Sequence, residues 1–180
     1  MKQRTSILAW VFLLTMALLP STIRAQVTPT VASNEPELIE VDVETKVRRI
    51  AVPALVAPSP ADTPAGNSAT LGRQIAEVIS ANLRNSGLFE PQGPAGIRPI
   101  TLEEVTAPQY DYWKGRNVEQ LVEGFVRVGG DGTLTVGCYL YDVNFGQELT
   151  RLGFVVPPRE WRRAAHKCAD AIYSKLTGEL

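Results

Sequence analysis

Three apolar-rich runs in the C-terminal half of the chain are separated by short turn-forming sequences. The runs cover residues 119–128, 133–143 and 148–156, and the separators at 129–132 and 144–147 are rich in Gly, Asn and Asp. These residues tolerate the positive φ angles of tight turns, and the flanking Val, Tyr, Phe and Thr favour extended chain. The pattern predicts a three-stranded antiparallel meander.

The middle run alternates between a drier and a wetter face. Leu134, Val136, Cys138 and Leu140 share one face, while Thr133, Thr135, Tyr139 and Tyr141 share the other. A sheet with one apolar face buries it under another layer. We therefore expect helices to cover the first face.

Two segments have the apolar spacing of helices. The first begins after Asn67 and Ser68, either of which can cap a helix, and ends near Gly87. The second follows Pro157 and Pro158 and ends at Gly178. Their apolar positions are Leu71, Ile75, Val78, Ile79 and Leu83 in the first, and Trp161, Ala165, Cys168, Ile172 and Leu176 in the second.

The N-terminal half predicts further strands. Ile39, Val41 and Val43 alternate with acidic residues, which indicates a strand with one apolar face near a sheet edge. Residues 50–56 indicate a buried strand interrupted by Pro53, and residues 88–89 a short one ended by Pro91. The predicted fold class is α/β (α+β), with a mixed sheet of about five or six strands and two helices packed on one face.

The segment 93–115 carries mixed signals. Thr101 and Glu104 have the spacing of a capping box for one or two helical turns. Tyr110, Tyr112 and Trp113 form an aromatic cluster, which we interpret as pinning a loop, with ligand binding as the alternative.

The N-terminus has the pattern of a secretory signal. Lys2 and Arg4 precede an apolar run too short to span a membrane, and Ala25 offers a cleavage point. We expect a signal peptide at 1–25, a flexible arm at 26–34 and one α/β domain at 35–180, with no direct membrane insertion after cleavage. Cleavage would leave 15 of the 18 basic residues against all 19 acidic ones. That balance argues against nucleic acid as a partner.

Candidate chemistry is sparse. His166, Asp170 and Ser174 carry the residue types of a triad, but His166 and Ser174 are eight positions apart and so lie about 12 Å apart along a helix. We therefore predict no catalytic residues, and interpret His166 and Asp170 as an i,i+4 pair on a solvated face. One alternative is a small secreted hydrolase using His166 with residues from elsewhere. Another is a nucleic-acid module centred on Arg159, Arg162 and Arg163, beside the simpler interpretation of a charged outer face.

Cys138 and Cys168 are the two cysteines of the chain, and both lie at positions predicted to be interior. In an oxidising compartment they can form a disulfide worth about 3 kcal/mol. Two packed thiols remain the competing interpretation. Zinc needs more ligands than these, so we expect no metal and no cofactor.

Several short sequences, in their order and spacing, are similar to those of one known family. They are the secretory leader, the run Arg49-Ile50-Ala51-Val52-Pro53, residues 83–89, residues 140–146 and residues 161–179. Together they resemble the N-terminal domain family of TolB, the periplasmic component of the Tol-Pal cell-envelope system. The resemblance covers residues 37–180.

The resemblance implies a non-enzymatic α/β domain similar in fold to the anticodon-binding domain of certain tRNA synthetases. In the family this domain precedes a β-propeller, absent from this chain, that contacts the Pal lipoprotein, so a Pal-type partner is expected only if a propeller follows. The family's N-terminal segment binds the inner-membrane protein TolA, and the system supports outer-membrane integrity, cell division and colicin import. Here that segment corresponds to Pro36, Glu37, Leu38, Ile39, Glu40, Val41, Asp42 and Val43.

Overall fold

The structure is a computed structural model that describes residues 47–179. The predicted signal peptide at 1–25, the arm at 26–34 and the strand around 39–43 lie outside the described residues. The strands are β1 (Arg48–Ala51), β2 (Asp62–Thr63), β3 (Gly66–Asn67), β4 (Phe89–Gln92), β5 (Gln120–Val128), β6 (Leu134–Asp142) and β7 (Gln147–Val156). The α-helices are α1 (Ser68–Asn85), α2 (Tyr110–Gly115) and α3 (Trp161–Thr177), the last preceded by a 3-10 turn at Pro158–Glu160.

Five strands form one mixed sheet in the order β4-β1-β5-β6-β7. Strand β1 is parallel to both of its neighbours, whereas β5, β6 and β7 form an antiparallel meander. Strands β2 and β3 form a separate two-stranded ribbon just before α1. The predicted mixed sheet and meander are therefore confirmed.

Helices α1 and α3 pack side by side on one face of the sheet and enclose the main core. Helix α1 begins where the Asn67 side chain accepts a hydrogen bond of 3.0 Å from the Ala69 amide. Helix α3 ends at Gly178, whose φ of 78° is the left-handed conformation that glycine adopts without strain. Both predicted helices are confirmed, with their caps.

The predicted strand at 50–56 is shorter in the structure. Strand β1 ends at Ala51, and the chain makes one further bridge at Val56, which pairs with Phe125. Pro53 lies in the gap between them and has no amide hydrogen to donate to a neighbouring strand. The intervening Leu55 instead packs in the main core.

The second face of the sheet is partly covered by the segment between β4 and β5. Tyr141, predicted on the wetter face, is 2% exposed, and its hydroxyl donates a 2.6 Å hydrogen bond to the Val105 carbonyl. Trp113, on the short helix α2, is fully buried in the same smaller core. The aromatic cluster thus packs a segment onto the sheet, as interpreted from sequence, although part of it is helical.

Candidate interaction surface

The predicted partner-binding residues 36–43 lie outside the described residues, but the structure shows where the following chain enters the domain. Val47 is 43% exposed and leads directly into β1. Both sides of β1 are already paired, with β4 and with β5. The free edges of the described sheet are therefore β4 and β7.

His166 lies exposed on α3 and faces the neighbouring helix. Its Nδ1 is 2.7 Å from Nδ2 of Asn82 on α1. This contact replaces the expected pair with Asp170, because the side-by-side packing of α1 and α3 places an amide within reach of the ring. The arrangement is an interhelical polar contact.

The basic residues at the start of α3 make local contacts. The Arg162 guanidinium lies over the Trp161 ring at 4.2 Å, and Arg163 pairs with Glu160 at 3.1 Å. Glu160, immediately before the helix, places a negative charge at the end where a helix favours one. These contacts fit a charged outer face better than a surface that follows phosphates.

Cys138 on β6 and Cys168 on α3 form a disulfide between the sheet and the helix that covers it. Both residues are buried, at 1% and 0% exposure, within the main core. The structure thus contains the disulfide and not the two packed thiols.

An ion pair between Arg98 and Glu104 lies in the segment between β4 and β5, which covers the sheet face opposite α1 and α3. Both terminal nitrogens of Arg98 donate to the Glu104 carboxylate, at 2.6 and 3.0 Å. The Thr101 amide donates to the same carboxylate at 2.8 Å, and the Glu104 amide donates to the Thr101 hydroxyl at 3.3 Å. The predicted capping box is therefore present, and the hydrogen bonds from Arg98 hold the pKa of Glu104 below its usual range.

Glu123 is a buried acidic residue that could not be predicted from the sequence. It is 0% exposed on β5, and neither carboxylate oxygen has a hydrogen-bond partner among the described residues. Burial raises the pKa of Glu123 to about 8, with a further rise from Glu104, while Arg98 and the Trp113 indole oppose the shift. The available signal was its position between Leu121 and Phe125, on the face that the aromatic cluster covers.

One surface hollow in the described part of the chain lies beside α1. This hollow of 610 Å³ lies between α1 and the loop after β4, and its charged lining residues are Arg73, Glu77 and Arg98. Arg98 is paired with Glu104, and the remaining residues that line the hollow are largely aliphatic.

Residues 47–179 hold no cluster of three or more His, Cys, Asp or Glu able to bind a metal. Within the same range, no helix combines the length and apolar character needed to span a membrane.

The sequence matches the model of the TolB amino-terminal domain over residues 39–149. The chain belongs to the TolB amino-terminal domain family. Its relatives include the Tol-Pal system protein TolB of Zymomonas mobilis, 58% identical over 72% of this chain. The protein of the same name from Sphingopyxis alaskensis is 49% identical over 84% of this chain.

The match to those TolB proteins is confined to part of their length. The chain spans 28% of the Zymomonas protein and 34% of the Sphingopyxis protein, about a third or less. A crystal structure of TolB from Acinetobacter baumannii superposes with a TM-score of 0.56 at 23% identity, covering 73% of this chain and 29% of that one. This likeness confirms the fold.

Proposed function

We propose that this chain is the protein-binding N-terminal domain of a periplasmic component of the Tol-Pal system, and that it has no catalytic role. Membership of the TolB amino-terminal domain family carries the proposal. The relatives named Tol-Pal system protein TolB support the assignment to that system. The engaged environments of His166 and of Arg98 in the described part of the chain favour binding over catalysis.

The proposed contact with a TolA-like inner-membrane protein is made by residues 36–43. In this segment Ile39, Val41 and Val43 alternate with Glu40 and Asp42, the pattern of a strand with one apolar face. An extended segment of this kind binds by adding a strand to the edge of a partner's sheet, where backbone hydrogen bonds supply affinity. Exposure of Val47, just downstream, is consistent with a segment that leaves the domain at its surface.

The wider role follows from this contact. We propose that the domain supports outer-membrane integrity, constriction during division and the import of colicins through its place in the Tol-Pal system. A contact with a Pal-type lipoprotein belongs to a propeller, and is proposed for the whole protein only where a propeller follows these residues.

Deletion of residues 36–43 tests the proposed contact. Isothermal titration of the purified protein with the C-terminal domain of a TolA-like protein should give a binding isotherm that the deletion abolishes. Deletion of residues 26–34, the matched control, should preserve binding, and both variants should keep the thermal unfolding transition of the native protein. Undiminished binding after deletion of 36–43 would refute the proposal.

A further inference from the structure

Strand β7 is the last strand of the sheet and has a long unpaired edge. The hydrogen bonds between Val56 and β5 show which β7 residues direct their backbone groups toward that edge. The Val56 amide donates to the Gly124 carbonyl at 2.9 Å, and the Val126 amide donates to the Val56 carbonyl at 2.7 Å. The backbone groups of Gly124 and Val126 therefore point away from β6. In an antiparallel pair, such residues face their opposite neighbours without exchanging hydrogen bonds.

The alternation between residues that hydrogen-bond to one neighbouring strand and residues that hydrogen-bond to the other continues through β6 to β7. The residues opposite Val126 and Gly124 are Val136 and Cys138, so their backbone groups bond to β7 instead. Their partners on β7 are Phe154 and Leu152. The intervening β7 residues, Arg151, Gly153 and Val155, consequently direct their amides and carbonyls to the free edge. No other strand of the described chain pairs with β7 on that side.

The side chains along this edge differ between the two faces of the sheet. On the helix side, Phe154 and Val156 are half-buried and pack at the margin of the main core. On the outer side, Val155 is 67% exposed, and an added Cβ at Gly153 would meet nothing within 4 Å. A shallow hollow of 240 Å³ opens there beside the Tyr139 ring.

The outer side also carries exposed arginine side chains. Arg151 on β7 is exposed and pairs with Glu148 of the same strand at 2.7 Å, whereas the exposed Arg127 lies two strands away on β5. That pair is solvent-exposed, so it restrains Arg151 only weakly. The edge therefore combines free backbone donors, an apolar ridge on one face and, on the other, an arginine held only by an exposed ion pair.

We propose that β7 binds residues 38–44 of a second copy of this chain as an added strand. The alternation in that segment matches both faces of the edge. Ile39, Val41 and Val43 extend the apolar ridge on the helix side, while Glu40 and Asp42 lie toward the outer side, where Arg151 is exposed. Strand addition satisfies the backbone row that an exposed edge otherwise leaves open.

The segment must come from another copy because its own chain is too short to reach. A strand beyond β7 lies four strand spacings from β1, about 19 Å away at ~4.8 Å per spacing. The four steps from Val43 to Val47 span at most about 14 Å when fully extended. Val43 and Glu44 of the same chain therefore cannot occupy a strand beyond β7, so the full segment 38–44 is assigned to another copy.

The opposite edge of the sheet is a poor acceptor. The Arg48 amide donates to the Leu88 carbonyl at 3.0 Å and the Val52 amide to the Gln92 carbonyl at 2.8 Å, so the even-numbered β4 residues face β1. The odd-numbered Pro91 therefore faces the open side, where it has no amide to donate. Strand β4 is also shorter, with four residues where β7 has ten. Its exposed Glu90 would repel the acidic side chains of an added strand.

Self-association measured by sedimentation equilibrium tests the proposal. The native protein should associate in a concentration-dependent way. Arg151→Glu, or Glu40→Arg combined with Asp42→Arg, should each weaken association by about tenfold, since a favourable cross-strand charge pair becomes unfavourable. The triple variant, which restores opposite charges, should recover it. Arg162→Glu on α3 serves as the matched charge control and should leave association unchanged.

A photo-reactive residue placed at Val155 gives the position directly. In a mixture of isotopically light and heavy copies, crosslinked peptides should join position 155 of one copy to residues 38–44 of the other. The same residue placed at Glu90 serves as the control and should give no such product. A monomer at all concentrations, insensitivity to the charge reversals, or crosslinks from position 90 would each overturn the proposal.

Discussion

Cys138 in the middle of the meander and Cys168 in the last helix are joined by a disulfide, with their Cα atoms 6.3 Å apart. The bond links β6 to α3 across the main core, 30 residues apart in sequence. Helix α3 therefore has a covalent tie to the sheet in addition to its apolar packing.

Removal of this disulfide is expected to destabilise the domain. A crosslink that closes a loop of this length restricts the unfolded chain, and its loss should lower the free energy of unfolding by about 3 kcal/mol. The comparison is urea unfolding of the native protein with and without dithiothreitol. The double variant Cys138→Ala/Cys168→Ala is the control and should not respond to the reductant; an equally insensitive native protein would show that the crosslink contributes nothing.

Glu123 is expected to make stability fall as pH rises. Its pKa of about 8 lies above the ordinary 4.5, so the folded protein holds a proton that the unfolded chain releases within that window. The free energy of unfolding should decrease between about pH 4.5 and 8, by on the order of 5 kcal/mol, and become level above pH 8.

The variant Glu123→Gln isolates this effect because an amide has no proton to lose. Urea unfolding of both proteins at each pH gives the difference between their free energies of unfolding. The contributions of the other titrating groups are the same in both proteins and cancel in this difference. The free energy of unfolding of the variant should increase relative to that of the native protein as pH rises toward 8. A difference that stays constant with pH would show that Glu123 is not held neutral.

The Arg98–Glu104 pair is expected to hold the segment that covers Trp113. Glu104→Gln should lower the free energy of unfolding by about 1–2 kcal/mol, because charge-assisted hydrogen bonds from Arg98 and Thr101 are weakened. Since the pKa of Glu104 is lowered in the folded state, its contribution is present above pH 4.5 and is lost as pH falls below that value. Glu103→Gln, at the exposed neighbouring position, should change neither stability nor Trp fluorescence.

Gly72 sets the distance between α1 and the chain after β1. A Cβ at this position would collide with the backbone carbonyl of Leu55, which cannot rotate away as a side chain would. Gly72→Ala should therefore destabilise the domain by about 1–3 kcal/mol in urea unfolding, despite the better helix propensity of alanine. Gly115→Ala, where the added methyl meets nothing within 4 Å, should be nearly neutral.

The elements with regular periodicity were predictable from sequence. Alternation between Leu134 and Leu140 specified a strand with one buried face, and the spacing from Leu71 to Leu83 specified α1. Turn and cap residues such as Asn67 and Gly178 located the ends, because their conformational preferences are local.

The features that sequence missed depend on contacts between distant residues. Glu123 resembles a solvated residue of a strand until Trp113, ten residues earlier, is known to lie beside its buried carboxyl. The partner of His166 is Asn82, 84 residues away, and local spacing points instead to Asp170. Pro53 signalled a defect in its strand, but the return to the sheet at Val56 depends on where β5 lies.

Hydrogen–deuterium exchange of the protein with and without the C-terminal domain of a TolA-like protein tests the central claim most directly. A domain that works by offering its N-terminal strand should gain protection over residues 36–43 on binding, while exchange in α1 and α3 stays unchanged. Protection confined to residues 47–179, with none over residues 36–43, would contradict the account.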